Sequence, residues 1–163
     1  MAFHAGQHIA NRLRRAISGE MWHGSAVDEL LAQFTAAEAR QHAIAGAHSA
    51  WELALHMTAW AEIVALRLDG EAREYPADEV DWPPVPEEGS AAAESAAAWR
   101  AARTRLQAAY DTLADRAAEV TEEQLGKKVP GQSYTTAIML DGVIEHATYH
   151  GGQLVMLRRA LAT

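Results

Sequence analysis

Two helix-forming runs are separated by Gly70-Glu71-Ala72-Arg73-Glu74-Tyr75-Pro76-Ala77-Asp78-Glu79-Val80-Asp81-Trp82-Pro83-Pro84-Val85-Pro86-Glu87-Glu88-Gly89. The prolines and the absence of a helical period mark this stretch as a connection, and one this long is uncommon inside a compact domain. A connection able to travel the full height of a helical bundle can set the helices it joins parallel. The expected architecture is therefore a four-helix bundle with one crossover, placed between the second and third long helices.

The runs on either side fit that plan. Upstream, Ser49-Ala50-Trp51-Glu52 spells a capping box, in which the serine oxygen accepts from the backbone of Glu52 and the glutamate reaches back. It predicts a helix running to about Asp69 and stopping at Gly70. Downstream, a helix is predicted from about Ser90 to Ala118, with Trp99, Leu106 and Leu113 at heptad spacing and Ala102 and Ala109 beside them. Ile9, Leu13, Ala16 and Ile17 form the apolar stripe of a first helix, from about Gly6 to Ser18. A short helical piece carrying Leu30, Leu31 and Phe34 follows Gly24-Ser25. The last helix is predicted after Pro130-Gly131, from about Thr135 to Leu161, roughly 40 Å long at ~1.5 Å per residue. No stretch shows sustained strand alternation, so the fold class is all-α.

Composition narrows the function. The 163 residues, 49% apolar and 22% charged, suit a single globular domain over 1–163. A net charge of −8 argues against nucleic acid as a partner, since that affinity needs a basic face. Glu52, His56, Glu62 and Arg67 interrupt the apolar run from Trp51 to Leu68, so no membrane span is expected. The N-terminus lacks the layout of a secretory signal, and a cytoplasmic location is the expectation. There are eight histidines and no cysteine. Any metal must be held by nitrogen and oxygen, and any thiol chemistry must use a thiol from outside.

His146-Ala147-Thr148-Tyr149-His150 puts two imidazoles four residues apart on one face of the last helix, close enough to share an ion. The same face carries Met139, Val143, Gln153 and Leu157, so it is the core stripe. There, two histidines must either hold a metal or find carboxylates on neighbouring helices, because an unsatisfied buried polar group costs roughly 1–3 kcal/mol. His56, on an apolar stripe with Trp60 and Ile63, is the candidate third ligand. Glu52, one turn earlier, is a candidate fourth ligand or general base, although its capping role competes. Gln153 is placed to hydrogen-bond a metal-bound water or a ligand, and Tyr149 is a further candidate catalytic group. Gly142, Gly151 and Gly152 read either as close packing or as space beside a metal. Three imidazoles on one ion would leave positions open for water or substrate, as in catalytic sites. Imidazole suits zinc, nickel, iron, copper and manganese without choosing among them. The other histidines, His4, His8, His23, His42 and His48, have ordinary explanations at termini and turns.

The run from Gly142 to Leu154, with Glu145-His146 and His150-Gly151-Gly152-Gln153 in it, resembles the last-helix motif of the DinB/YfiT-like metalloenzyme superfamily. His48-Ser49-Ala50-Trp51-Glu52-Leu53 followed by His56 resembles that family's second-helix motif, and Trp82-Pro83-Pro84-Val85-Pro86 its linker. The resemblance covers essentially the whole chain. It implies an up-down-down-up bundle, and a divalent metal on three histidines that map onto His56, His146 and His150. It also implies a small-molecule substrate, a homodimer, and in some members a low-molecular-weight thiol cofactor used by transferases or by a maleylpyruvate isomerase. A metal-dependent hydrolase and a non-catalytic metal- or ligand-binding module stand as alternatives.

Overall fold

The structure is a computed structural model and describes residues 4–71, 74–87 and 92–162. Eight helices account for the regular structure of those residues: α1 (Ala5–Ser18), α2 (Val27–Leu31), α3 (Ala36–Arg40), α4 (Ala50–Leu68), α5 (Asp78–Asp81), α6 (Ala92–Ala118), α7 (Glu122–Leu125) and α8 (Thr136–Leu161). The described residues form no β-strand, only isolated bridges between Met21 and Gly24 and between Lys128 and Thr135. The all-α expectation holds, and the four long helices lie close to their expected limits. The start of the third, expected near Ser90, lies outside the described residues. Three short helices, α3, α5 and α7, escaped the reading of periodicity because a single turn carries none.

Local chemistry sets the limits of α4. Ser49 caps the Glu52 N–H at 3.2 Å while Glu52 Oε2 accepts from the Ser49 N–H at 2.6 Å, the reciprocal pair that the sequence spells. At the other end Gly70 takes φ +89°, and the Gly70 and Glu71 amides fold back to the carbonyls of Arg67 and Leu66. This left-handed helix stop costs a residue with a Cβ and suits glycine.

The four long helices enclose one core. Leu13 and Ile17 of α1, Trp51, Leu53 and Met57 of α4, Leu106, Tyr110 and Leu113 of α6, and Leu140 and Leu154 of α8 are fully buried. The heptad residues Trp99, Leu106 and Leu113 all face inward, and the Trp99 indole donates to the Phe34 carbonyl at 3.0 Å. α1 packs chiefly on α6, closely enough that a Cβ at Gly6 would stand 2.5 Å from the Ala117 carbonyl oxygen. α4 lies between α6 and α8. Arg105 pairs with Glu62 at 3.0 Å and Arg116 with Asp69 at 2.9 Å across α6 and α4, and Arg12 with Asp141 at 2.6 Å across α1 and α8. No described helix is long and apolar enough to cross a membrane.

Residues 70–89 are not wholly irregular. Pro76-Ala77 leads into the one-turn α5, where Asp78, Glu79 and Asp81 place negative charge at the end that the helix dipole favours. Pro83 and Pro84 cannot extend it. That turn drops Asp81 and Trp82 onto the second and third turns of α4.

Candidate metal centre

His56 sits in the second turn of α4, and His146 and His150 one turn apart in the middle of α8. The Nε2 of His146 lies 2.9 Å from the Nε2 of His56 and 2.9 Å from that of His150. Among the described residues these three form the one group of three or more histidines or carboxylates arranged to hold a metal ion, with ligand atoms within 4.8 Å of one another. His56 and His150 are buried and His146 is partly so.

The outer nitrogens explain which way the inner ones present themselves. His56 Nδ1 lies 2.7 Å from the carbonyl oxygen of Asp81, which can only accept, so Nδ1 carries the proton. His150 Nδ1 likewise meets an acceptor, Gln153 Oε1 at 2.6 Å, while the Gln153 Nε2 donates to the Tyr149 hydroxyl at 3.2 Å. A neutral imidazole protonated at Nδ1 presents a lone pair at Nε2. Two lone pairs therefore aim at the same point as the third nitrogen. His146 Nδ1 is buried and has no hydrogen-bond partner within the protein, so nothing in the chain competes for its ring. Lone pairs crowded in this way repel unless a cation or proton lies between them, and the set could hold a metal ion.

Burial disfavours the protonated rings. Desolvation, with the neighbouring histidines adding to it, pushes His146 down to about 3. Desolvation likewise takes His150 down to about 4, against the opposing hydrogen bond from Gln153. His56 is also lowered by burial, although the Asp81 carbonyl and carboxylate pull it back up. All three are thus neutral at pH 7, the form that ligates a metal.

Around the triad stand residues to which the sequence reading gave no role at the site. The Asp81 carboxylate stands 3.2 Å from His56 Nδ1, accepts from the Trp60 indole at 2.6 Å and from the Tyr75 hydroxyl at 3.4 Å, and is buried. The Trp82 ring stacks on His56 at 3.8 Å, and His48 stacks on its other face at 3.5 Å. The available signal was an aspartate and a tryptophan in a proline-rich connection, where neither has a core to fill.

The three candidate catalytic residues lie outside the triad itself. Glu52 does not join the triad: its carboxylate accepts from the Ser49 amide and lies 2.9 Å from His42 Nε2. Burial raises its pKa, but the Ser49 hydrogen bonds and the nearby His42 and His48 outweigh that and leave it below the ordinary glutamate value. Gln153 spends its oxygen on His150, so it positions a ring instead of meeting a ligand. Tyr149 is exposed and reaches the site only by holding Gln153 and lying edge-on to His150.

Beside the triad, between α4 and α8, a cleft of about 440 Å³ is lined by His56 and His146 at one end and by Arg67 and Tyr134 at the other. Gly142 borders it, and a Cβ there would meet nothing within 4 Å. Gly151 would place a Cβ at ordinary contact distance, 3.8 Å from Leu30 and Val27, so neither glycine is forced by close packing.

No curated protein sequence and no solved structure matches the chain significantly. A model of the DinB family does match it, over residues 13–161. That span takes in His56, His146 and His150, the histidines brought together between α4 and α8, and the chain belongs to the DinB family.

Proposed function

We propose that the chain is a divalent-metal-dependent enzyme of the thiol S-transferase kind, with His56, His146 and His150 as the metal ligands. The observation that carries this reading is the convergence of three Nε2 atoms, two with their lone pairs fixed inward by Nδ1 hydrogen bonds to Asp81 and Gln153. A divalent ion held there would acidify a thiol or water and polarise an electrophile. The chain's own part is to hold the rings neutral, to cover His56 with Trp82, and to offer a largely apolar cleft beside them. With no cysteine in the sequence, the sulfur comes from a low-molecular-weight thiol. Thiol transfer is favoured over metal-dependent hydrolysis because Glu52, the candidate general base, is occupied at the helix cap.

The same reading takes residues 1–163 as one domain, a four-helix bundle running up-down-down-up with its crossover at residues 70–89. The cross-helix pairs support it. Glu62 and Asp69 of α4 meet Arg105 and Arg116 of α6 in the same order, as parallel helices do, whereas His56 and Arg67 meet His146 and Tyr134 in reverse order. A homodimer, a cytoplasmic location and a small-molecule substrate, with neither nucleic acid nor membrane as partner, complete the proposal. The charge of −8 agrees with the exclusion of nucleic acid.

Metal analysis of the purified chain is the first test. About one divalent ion per chain is expected, and His146→Ala or His150→Ala should leave less than about a tenth of it. A wild-type chain that folds and takes up no divalent ion would overturn the reading. With metal bound, consumption of monochlorobimane should require added thiol. Ester or amide turnover without thiol would make the protein a hydrolase instead, and tight ligand binding with no turnover a binding module.

A further inference from the structure

The cleft beside the triad has two unlike ends. His56, Trp60, Val64 and Arg67 follow one another down one face of α4, and from the first to the last the helix rises roughly 16 Å at ~1.5 Å per residue. Between the ends the walls are apolar: Trp60 and Val64 from α4, with Ile138, Met139 and Val143 from α8. At the far end stands Arg67, the one formally charged side chain among the described residues that line the cleft. The residue is 4% exposed, and its guanidinium donates through Nη1 to the Tyr134 hydroxyl at 2.7 Å and through Nη2 to the Glu74 carbonyl at 3.3 Å, and lies 5.8 Å from the Trp60 ring. Gln132 also lines the cleft.

We propose that this cleft binds an elongated apolar carboxylate, its carboxylate held by Arg67 and Tyr134 and its other end directed at the histidine triad. A buried guanidinium favours a carboxylate by charge, and partial burial strengthens that attraction over the one at the surface. The Tyr134 hydroxyl, accepting from Arg67, keeps its own proton to donate to a ligand oxygen. Apolar walls over the intervening length select a hydrocarbon or aromatic body over a sugar, so the occupant is the electrophilic substrate and not a sugar-bearing thiol. The volume lies within the ordinary range of small-molecule sites. The orientation toward the triad rests on the proposed metal-dependent function; the carboxylate end does not.

The test uses the full chain freed of metal by chelation, so that no ion can bind the carboxylate in place of Arg67. Calorimetric titration with 6-phenylhexanoate and with 6-phenylhexanamide, of equal length, is expected to show the acid binding at least about tenfold tighter, the size of one charged hydrogen-bonded contact. Arg67→Gln should abolish the preference while leaving the amide's affinity within about twofold. Because Arg67 is buried, Tyr134→Phe serves as a second variant, with a loss of about three- to tenfold for the acid alone and an unchanged circular-dichroism spectrum. Ile138→Trp, at a rim position 60% exposed, should weaken both ligands together. Equal affinity of acid and amide for the wild type, a preference that survives both Arg67→Gln and Tyr134→Phe, or no binding of either up to about 5 mM would each overturn the proposal. The failures are distinguishable: a chain that loads metal but treats acid and amide alike loses only the cleft, and one that prefers the acid but takes no metal loses only the metal centre.

Discussion

Each histidine of the triad has two ring nitrogens, and the partner of the outer one governs what the inner one can do. Gln153→Leu removes the acceptor that fixes His150, and the apparent metal affinity should fall about 10- to 100-fold in competition with a chromophoric chelator, whereas Gln153→Glu should restore most of it. Asp81→Asn should act through His56 in the same direction, with a smaller effect because the Asp81 carbonyl still accepts from Nδ1. The depressed histidines also make the metal-free fold acid-sensitive. His146 and His150 titrate near about 3 and about 4 in the folded chain and near about 6.5 unfolded, so between those values the unfolded chain binds more protons. Their contribution to stability is therefore complete above about pH 6.5 and is lost as pH falls through the interval toward 4 and 3. The urea midpoint of the metal-free wild type should drop between pH 7.5 and pH 5, and the drop should shrink in His146→Leu. Single residues are also where the helical period says least about partners. Glu52 and Gln153 have the right chemistry and the right helix faces for catalysis, yet each is occupied by a neighbour whose position the helical period does not reveal.

At the level of the helix, caps and backbone approach decide where the histidines stand. The Ser49–Glu52 capping box fixes the register of α4, and His56 is four residues beyond Glu52. Ser49→Ala should cost about 1 kcal/mol, a fall in Tm of roughly 2–4 °C for a chain of this size, read by thermal denaturation. Glycines divide by what a Cβ would meet. At Gly6 it would collide with the carbonyl oxygens of Ala117, Val120 and Ala118, so Gly6→Ala should destabilise by about 1–3 kcal/mol despite alanine's better helix propensity. At Gly152 it would meet nothing within 4 Å, and Gly152→Ala should raise stability by up to about 1 kcal/mol. The long helices were legible from their stripes and caps because those signals are local. α5 was not, since four residues carry no period, and its importance comes from the α4 turns onto which it packs.

Over the whole molecule, the candidate metal centre is a seam between α4 and α8, whose histidines His56 and His146 stand 90 residues apart in the chain. Its ligands come together only when both helices are packed, so metal binding should be linked to global stability. An ion present at one hundred times its Kd should raise the unfolding free energy by about 2.7 kcal/mol, seen as a metal-dependent rise in Tm that chelator reverses and His146→Ala abolishes. A Tm indifferent to metal would place any bound ion outside the folded triad. The amino-acid sequence by itself determined that the chain is helical, where the four long helices run, and which three of eight histidines lie on inward faces, because periodicity, capping and composition act over a few residues. It also determined that any sulfur must come from elsewhere. Only the tertiary structure decided that Asp81 and Gln153 stand against the outer imidazole nitrogens, that Glu52 belongs to the cap, and that Arg67 and the triad line the two ends of one cleft. Those outcomes depend on distances between segments remote in sequence, and such distances are set by packing of the core and not by any local preference of the chain.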